Sequence, residues 1–120
     1  MKKKKLLVAD DEKNLRLLYQ MELEQEGYVV TVACDAQEVL ELLKTQQFDL
    51  IVLDILMPGM NGIELTEKIL AKDKRQKIIL NTAYSAYKDN FMTWAADAYV
   101  VKSGDLSELK MRIREVLATP

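Results

Sequence analysis

Three carboxylates, a threonine and a lysine stand at the ends of short apolar runs in this 120-residue chain. Asp54 ends one run, Asp10 and Asp11 end another, Thr82 comes directly after a third and Lys102 closes a fourth. Carboxylate, hydroxyl and ammonium groups are the side-chain groups that phosphoryl transfer uses to hold a metal and the transferring group. The functional interpretation therefore depends on whether the chain folds so that these five residues meet.

The three carboxylates would repel one another if they met without a counter-charge. Two carboxylates about 4 Å apart repel by about 4 kcal/mol at an effective dielectric constant of about 20. Lys102 supplies one positive charge, and a divalent cation would supply the rest. Oxygen ligands that leave room for water and phosphate favour Mg²⁺, with Mn²⁺ as a substitute, over zinc. A carboxylate beside such a cation can attack phosphorus, so Asp54 is predicted to be a phosphate-accepting nucleophile assisted by Thr82 and Lys102.

The elements that must position these residues can be predicted from the apolar runs. Residues 48–54 are too short for a free-standing helix and precede the turn residues Pro58 and Gly59, so they predict a strand buried on both faces. Four further runs predict strands, at residues 5–9, 28–33, 77–81 and 98–101. Right-handed crossovers bring the carboxyl ends of parallel strands to one edge of a sheet, which is where sites form in open α/β sheets.

Helix signals separate the predicted strands. A first helix is predicted to start near Asp11 or Glu12 and to end where Gly27 favours a left-handed cap. Three further helix starts are predicted from capping residues, at Asp35, Asn61 and Asp105. Residues 85–94 are a short helical stretch with an ambiguous pattern. The alternation predicts an α/β fold of five β/α units in one domain, residues 1–120 with a core of about 5–118.

Composition excludes several classes of protein. An apolar fraction of 49% and a charged fraction of 30% are typical of a globular domain. No apolar run reaches the ~20 residues that span a bilayer and nothing resembles a secretory signal, so the expected location is the cytoplasm. A net charge of −2 offers no footprint for nucleic acid. The lack of histidine and the single cysteine, Cys34, exclude His-based triads, common zinc sites and a disulfide framework.

Four motifs in this order resemble the receiver domain of two-component response regulators. They are residues 7–12 (LVADDE), 53–62 (LDILMPGMNG), 82–83 (TA) and 99–102 (YVVK), and the resemblance runs from about residue 5 to residue 118. The family has a doubly wound (βα)5, flavodoxin-like three-layer sandwich with a five-stranded parallel sheet in the order 2-1-3-4-5. The resemblance therefore implies that fold here.

The resemblance also implies a role for each residue of the acidic edge. Asp54 would accept a phosphoryl group from a sensor histidine kinase or a histidine phosphotransfer protein. Asp11 and Asp54 would ligate Mg²⁺ together with the backbone carbonyl of Leu56, while Asp10 would act through water. Lys102 would contact the phosphoryl oxygens. Such a protein is a signalling protein, not an enzyme, because it catalyses only its own phosphorylation and dephosphorylation.

Two further residues are assigned to the response to phosphorylation. A phosphoryl group adds about −1.5 to −2 charges and shifts the balance between two packings. Thr82 would move its hydroxyl to the phosphate and Tyr99 would follow inward, changing the face that controls a downstream partner.

The family tunes phosphate lifetime through the residues two beyond the aspartate and the threonine. Here these are Leu56 and Tyr84, and their bulk predicts a long-lived phosphate because it hinders attack by water.

The chain departs from the receiver pattern near its fifth strand. Ser103 follows the lysine where receivers usually have proline. We expect a trans peptide there, since a cis bond before a residue other than proline costs ~2.5–4 kcal/mol. The span from Thr82 to Lys102 is also about two residues shorter than usual, which affects the output surface more than the chemistry.

Other functions can be weighed against the phosphoacceptor. Asp10 and Asp11 could simply cap the first helix, and Tyr99 could be core packing. A receiver-like interaction module that signals by binding alone is the alternative function, although the acidic residues are all present. An Asp-x-Asp phosphatase is excluded because Leu56 occupies the second acidic position. No output domain is expected after residue 118, so the chain would be a stand-alone regulator or an excised receiver.

Overall fold

The computed structural model describes residues 2–87 and 94–120, which form a parallel β-sheet with helices on both faces. The strands are β1 (Lys5–Ala9), β2 (Val29–Ala33), β3 (Leu50–Leu53), β4 (Ile78–Thr82) and β5 (Ala98–Val101). The α-helices in these residues are α1 (Lys13–Gln25), α2 (Ala36–Leu43), α3 (Gly62–Lys72) and α4 (Ser107–Ala118). The predicted α/β fold and the strand order 2-1-3-4-5 are confirmed.

The strand residues alternate between two hydrophobic cores. Residues such as Leu7, Leu53 and Leu80 pack with α2 and α3 on one face of the sheet. Their neighbours Val8 and Val52 pack with α1 and α4 on the other face. Buried strands covered on both sides explain why the strands read as continuous apolar runs and not as alternating ones.

The helix ends mostly follow the predicted caps. Asp35 and Asn61 each accept a hydrogen bond from the backbone N–H three residues on, at 2.9 Å. Gly27 has φ of 99°, and the N–H groups of Gly27 and Tyr28 donate to the carbonyls of Glu24 and Leu23. This pairing is the Schellman arrangement, in which a glycine in left-handed conformation ends the helix.

Some predicted boundaries were wrong by one or two residues. The central strand begins at Leu50 and not at residue 48, and Thr82 is the last residue of β4, not the residue after it. The N-cap of α4 is Leu106 and not Asp105, although the Asp105 carboxylate still accepts the Ser107 N–H at 3.0 Å. Local sequence patterns do not resolve helix and strand ends more finely than this.

The stretch predicted as helical at residues 85–94 is described only at its ends. Ser85–Tyr87 form a 3-10 turn, and residues 88–93 lie outside the described residues. The peptide between Lys102 and Ser103 is trans, as expected. No helix in the described ranges is long and apolar enough to cross a membrane.

The strand order creates an opening at the carboxyl edge of the sheet. β1 pairs with both β2 and β3, and the connections after β1 and β3 leave in opposite directions. Such a reversal of strand order is the point where ligands bind in open α/β sheets. The residues that follow β1 and β3 are Asp10, Asp11 and Asp54, so the fold delivers the predicted acidic residues to this opening.

Candidate functional site

Three carboxylates converge at the opening. Asp10, Asp11 and Asp54 each place a carboxylate oxygen within 4.8 Å of the others. Ala9 and Leu53 are register partners in β1 and β3, and the Asp54 N–H donates to the Ala9 carbonyl at 3.1 Å. The segments that follow β1 and β3 therefore leave the sheet side by side. Asp10 and Asp54 are buried, whereas Asp11 is exposed to solvent.

Lys102 neutralises part of this acidic cluster. Its Nζ lies 2.6 Å from Asp10 Oδ2 and 2.9 Å from Asp54 Oδ2. Its backbone N–H donates to the Thr82 carbonyl at 2.7 Å, which continues the pairing of β4 with β5 by one residue. The lysine thus reaches the cluster from the far side of β4, as the sequence predicted.

The pKa values of this ion pair reflect burial and pairing. Burial opposes the charged form of Lys102, but its hydrogen bonds to Asp10 and Asp54 outweigh burial and raise the ammonium pKa. Burial raises the pKa of the Asp54 carboxyl, and the hydrogen bond from Lys102 offsets part of that effect. Charged Lys102 therefore favours the ionised form of the buried Asp54 carboxyl.

The three carboxylates have different partners. Asp10 Oδ1 accepts the Glu12 N–H at 2.9 Å and Oδ2 accepts Lys102 Nζ. Asp54 Oδ1 accepts the Leu56 N–H at 3.3 Å. Within the described chain, no residue donates a hydrogen bond to the Asp11 carboxylate. This arrangement leaves Asp11 as the carboxylate that is open to a cation, and the all-oxygen donor set fits a hard divalent ion such as Mg²⁺.

Thr82 carries an unsatisfied hydroxyl at the same edge. The residue is completely buried, and its Oγ1 is the buried side-chain polar atom that has no hydrogen-bond partner among the residues described. A buried polar group without a partner costs about 1–3 kcal/mol. A ligand with oxygen acceptors at this edge would satisfy the hydroxyl.

Tyr99 and the two residues assigned to phosphate lifetime lie nearer the surface. Tyr99 is half-buried against the core of α2 and α3, and its hydroxyl donates to the Tyr84 carbonyl at 2.5 Å. It shares a face of the sheet with Thr82, because Leu80 pairs with Tyr99 and Thr82 pairs with Val101. The side chains of Leu56 and Tyr84 are 42% and 51% exposed, so neither is held in the core.

Sequence analysis missed a buried polar pair close to the site. Asn81 Nδ2 donates to the Tyr19 hydroxyl at 3.1 Å, and both residues are almost fully buried. Burial raises the pKa of Tyr19, and the charges of Lys102, Asp10 and Asp54 also act on it. The polar Asn81 in an otherwise aliphatic strand was the signal that could have indicated this pair.

Sequence analysis also missed the packing of α3 against the nucleophile. A Cβ on Gly62 would lie 2.2 Å from the backbone oxygen of Asp54 and 3.0 Å from the Cα of Ile55. The Gly62 N–H donates to the Ile55 carbonyl at 2.8 Å. The start of α3 therefore rests directly on the turn that presents Asp54, and only a residue without a side chain fits there.

Comparisons with known proteins agree with this geometry. The response regulator receiver domain family matches residues 6–114. The response regulator ArlR of Staphylococcus aureus is 35% identical over 113 residues, which are 93% of this chain and 52% of that protein. The chain thus spans about half the length of ArlR.

Solved structures of a second relative are similar over the whole fold. The response regulator TrrA of Thermotoga maritima, in complex with Mg²⁺-BeF, is 45% identical with a TM-score of 0.91, covering 94% of this chain and 98% of that one. TrrA in complex with the histidine kinase ThkA gives a TM-score of 0.90 at 45% identity, covering 96% of this chain and 99% of that one. With its sheet order and its family match, the chain belongs to the response regulator receiver domains, the signalling components of two-component systems.

Proposed function

We propose that this receiver domain is a phosphorylation switch in which Asp54 accepts a phosphoryl group in a Mg²⁺-dependent reaction. The observation that carries the proposal is the ion pair of Asp54 with Lys102 inside a cluster of three carboxylates. The unsatisfied hydroxyl of Thr82 at the same edge supports it. If Asp54 were only a capping residue, neither Lys102 beside it nor the buried hydroxyl of Thr82 would be required.

The chemistry follows from the positions of these groups. An Asp54 oxygen attacks the phosphorus of a phosphohistidine, a P–O bond forms, and the P–N bond breaks with its electron pair returning to the imidazole. Lys102 and Thr82 donate hydrogen bonds to the phosphoryl oxygens, on which negative charge is concentrated. Mg²⁺ held by Asp11, Asp54 and the Leu56 carbonyl, with Asp10 acting through water, would neutralise the rest of that charge.

The switch uses Thr82 and Tyr99. Once Asp54 carries a phosphate, the Thr82 hydroxyl gains an acceptor that no described residue of the unphosphorylated protein offers it. A shift of Thr82 toward the phosphate changes the space available to Tyr99 on the same face of the sheet. The signal is then a change in the population of two packings at the Tyr99 face, which a downstream partner would recognise.

The donor of the phosphoryl group is a histidine kinase or a histidine phosphotransfer protein. A relative that is 45% identical over nearly the whole chain forms a complex with a histidine kinase, and another structure of it contains Mg²⁺-BeF. The exposed side chains of Leu56 and Tyr84 would hinder the approach of water to the phosphate, so we propose a slow loss of phosphate.

Phosphodonor labelling tests the proposal. Incubation with acetyl phosphate and MgCl2 should add one phosphoryl group to the wild type, detected by intact mass. Labelling should be absent in Asp54→Asn and strongly reduced when EDTA removes the metal. Far-UV circular dichroism of Asp54→Asn controls for folding. A wild type that is never labelled while correctly folded would instead favour a module that signals by binding alone.

A further inference from the structure

Arg16 is a partly buried charged residue that the proposed chemistry does not use. It lies in the second turn of α1, and its Nη1 donates to the backbone carbonyl of Asp10 at 2.8 Å. It makes no ion pair with a carboxylate among the residues described, although three carboxylates lie close by. Its guanidinium is committed to a backbone group at the start of the acidic loop.

That hydrogen bond completes the fixation of Asp10. The Asp10 N–H donates to the Ala33 carbonyl at 3.1 Å, its two carboxylate oxygens accept from Glu12 and Lys102, and its carbonyl accepts from Arg16. Asp11, by contrast, has a carboxylate that accepts nothing from the described residues. The Asp11 carboxylate is therefore positioned through the backbone on either side of it, which the contacts of Asp10 and Glu12 hold, and not through a described side-chain contact of its own.

Peptide geometry connects these observations. The carbonyl of Asp10 and the N–H and Cα of Asp11 lie in one rigid plane, because the peptide bond does not rotate freely. A donor that holds the Asp10 oxygen restrains the orientation of this plane and with it the position of the Asp11 Cα, from which the Asp11 side chain leaves the backbone. A hydrogen bond from a charged donor is roughly twice as strong as one between neutral groups, so it favours one orientation of the plane.

We infer that Arg16 is a positioning residue for the metal, which orients the Asp11 carboxylate through the carbonyl of Asp10. The inference rests on the proposed function, since it assumes that Asp11 is a ligand. The charge of Arg16 and its positioning hydrogen bond have opposite effects on the affinity for Mg²⁺. As a nearby cation, Arg16 weakens the binding of Mg²⁺, so a variant that only lost its charge would bind the metal more tightly. A variant that lost the positioning contact would bind it more weakly.

Isothermal titration with MgCl2 separates these two effects. We expect Arg16→Met, which removes both the donor and the charge, to raise the Mg²⁺ dissociation constant about 10- to 100-fold, as loss of outer-shell partners typically does. Arg16→Lys, which keeps a long cationic donor, should bind nearly as the wild type does. Lys13→Met is the matched control, because it removes one exposed positive charge from the same helix without a hydrogen bond to the acidic loop. It should bind Mg²⁺ at least as tightly as the wild type.

Each result supports or overturns the inference. Titrations are made where circular dichroism shows every variant folded. If Arg16→Met does not fold, Arg16→Gln replaces it, because its side chain is two atoms shorter and cannot make the same contact. Arg16→Met, or Arg16→Gln in its place, binding Mg²⁺ as tightly as Lys13→Met would overturn the inference alone, provided that acetyl phosphate still labels the wild type. A folded wild type that neither binds Mg²⁺ nor accepts phosphate would overturn the proposed function and the inference with it.

Discussion

At the scale of single residues, Thr82 differs from Thr66, the other buried threonine in the described part of the chain. Both are almost completely buried. The Thr66 hydroxyl donates to the Gly62 carbonyl at 2.8 Å, whereas the Thr82 hydroxyl has no partner among the described residues. A side chain that is costly in the resting protein and useful once Asp54 is phosphorylated is consistent with a role in switching.

Replacing Thr82 by valine should therefore stabilise the resting protein. Thr82→Val removes an unsatisfied hydroxyl at nearly constant shape, so we expect the free energy of unfolding to rise by about 1 kcal/mol. The same variant should accept phosphate from acetyl phosphate about tenfold more slowly, because a hydrogen bond to the charged phosphoryl group is lost. Urea denaturation and the time course of intact mass measure the two effects.

Thr66→Val is the matched control for this prediction. It removes a hydroxyl that has a partner, so it should leave the stability unchanged or lower it by about 1 kcal/mol, and it should not alter the rate of phosphorylation. Equal losses of stability in the two variants would show that the Thr82 hydroxyl has an acceptor in solution.

At the scale of elements, the start of α3 packs tightly against the turn after β3. Gly62 lies against the backbone of Asp54, and a backbone atom cannot move aside as the end of a flexible side chain can. The glycine is needed here for space and not for an unusual φ, because Gly62 is not among the glycines with positive φ.

Alanine at this position should destabilise the fold and disturb the nucleophile together. We expect Gly62→Ala to lower the free energy of unfolding by about 3 kcal/mol, the upper end of the cost of overpacking, and to slow phosphorylation of Asp54. Gly104→Ala is the control, since a Cβ there meets nothing within 4 Å. Chemical denaturation of both variants checks the prediction, which fails if the two lose the same stability.

The strands and several helix caps are the elements that could be predicted from the sequence. The five strands could be predicted because their buried faces leave continuous aliphatic runs, and Asp35, Asn61 and Gly27 could be predicted as caps because their chemistry is local. The meeting of Asp10, Asp54 and Lys102 at one edge also follows from topology, because the carboxyl ends of parallel strands lie at the same edge of the sheet. These features depend on neighbours in the chain or on rules common to all parallel sheets.

Contacts between distant side chains could not be predicted in this way. Asn81 donates a hydrogen bond to Tyr19 on α1, and Arg16 donates one to the carbonyl of Asp10 in the loop after β1. The residues around Asn81 and Arg16 in the sequence do not indicate these partners. Gly62 looked like a helix-start residue, and its contact with Asp54 depends on the angle at which α3 meets the sheet. The N-cap at Leu106 likewise depends on tertiary packing, since Leu106 packs against the core.

At the scale of the whole molecule, the proposed Mg²⁺ site predicts that the metal stabilises the fold. Without metal, the three carboxylates repel one another, and Lys102 is the described cation that pairs with two of them. With metal, the folded protein gains free energy from binding, about 2.7 kcal/mol at a concentration 100 times the dissociation constant. Mg²⁺ should therefore protect the entire fold against denaturation, not the loops alone.

The order of stability of Asp11→Asn and the wild type should be opposite in EDTA and in MgCl2. In EDTA the variant should be slightly more stable, by about 1 kcal/mol at most, because one repelling charge is removed at a solvent-exposed position. In saturating MgCl2 the wild type should be the more stable of the two, because the variant lacks a ligand. Thermal melts in each solution, with NaCl matching the ionic strength, test this. The same order in both solutions would contradict Asp11 as a ligand.

Both ends of the described chain lie at the edge of the sheet opposite the acidic cluster. Lys5 begins β1 there, and Lys77, just before β4, donates hydrogen bonds to the carbonyls of Val116 in the last turn of α4 and of Thr119 just after the helix. A strand of five residues separates that edge from the carboxylates, a distance of about 16 Å. A fluorophore or an immobilisation tag attached at either terminus should therefore leave the path of the phosphodonor clear. Surface-based assays with the tethered protein are thus compatible with its geometry.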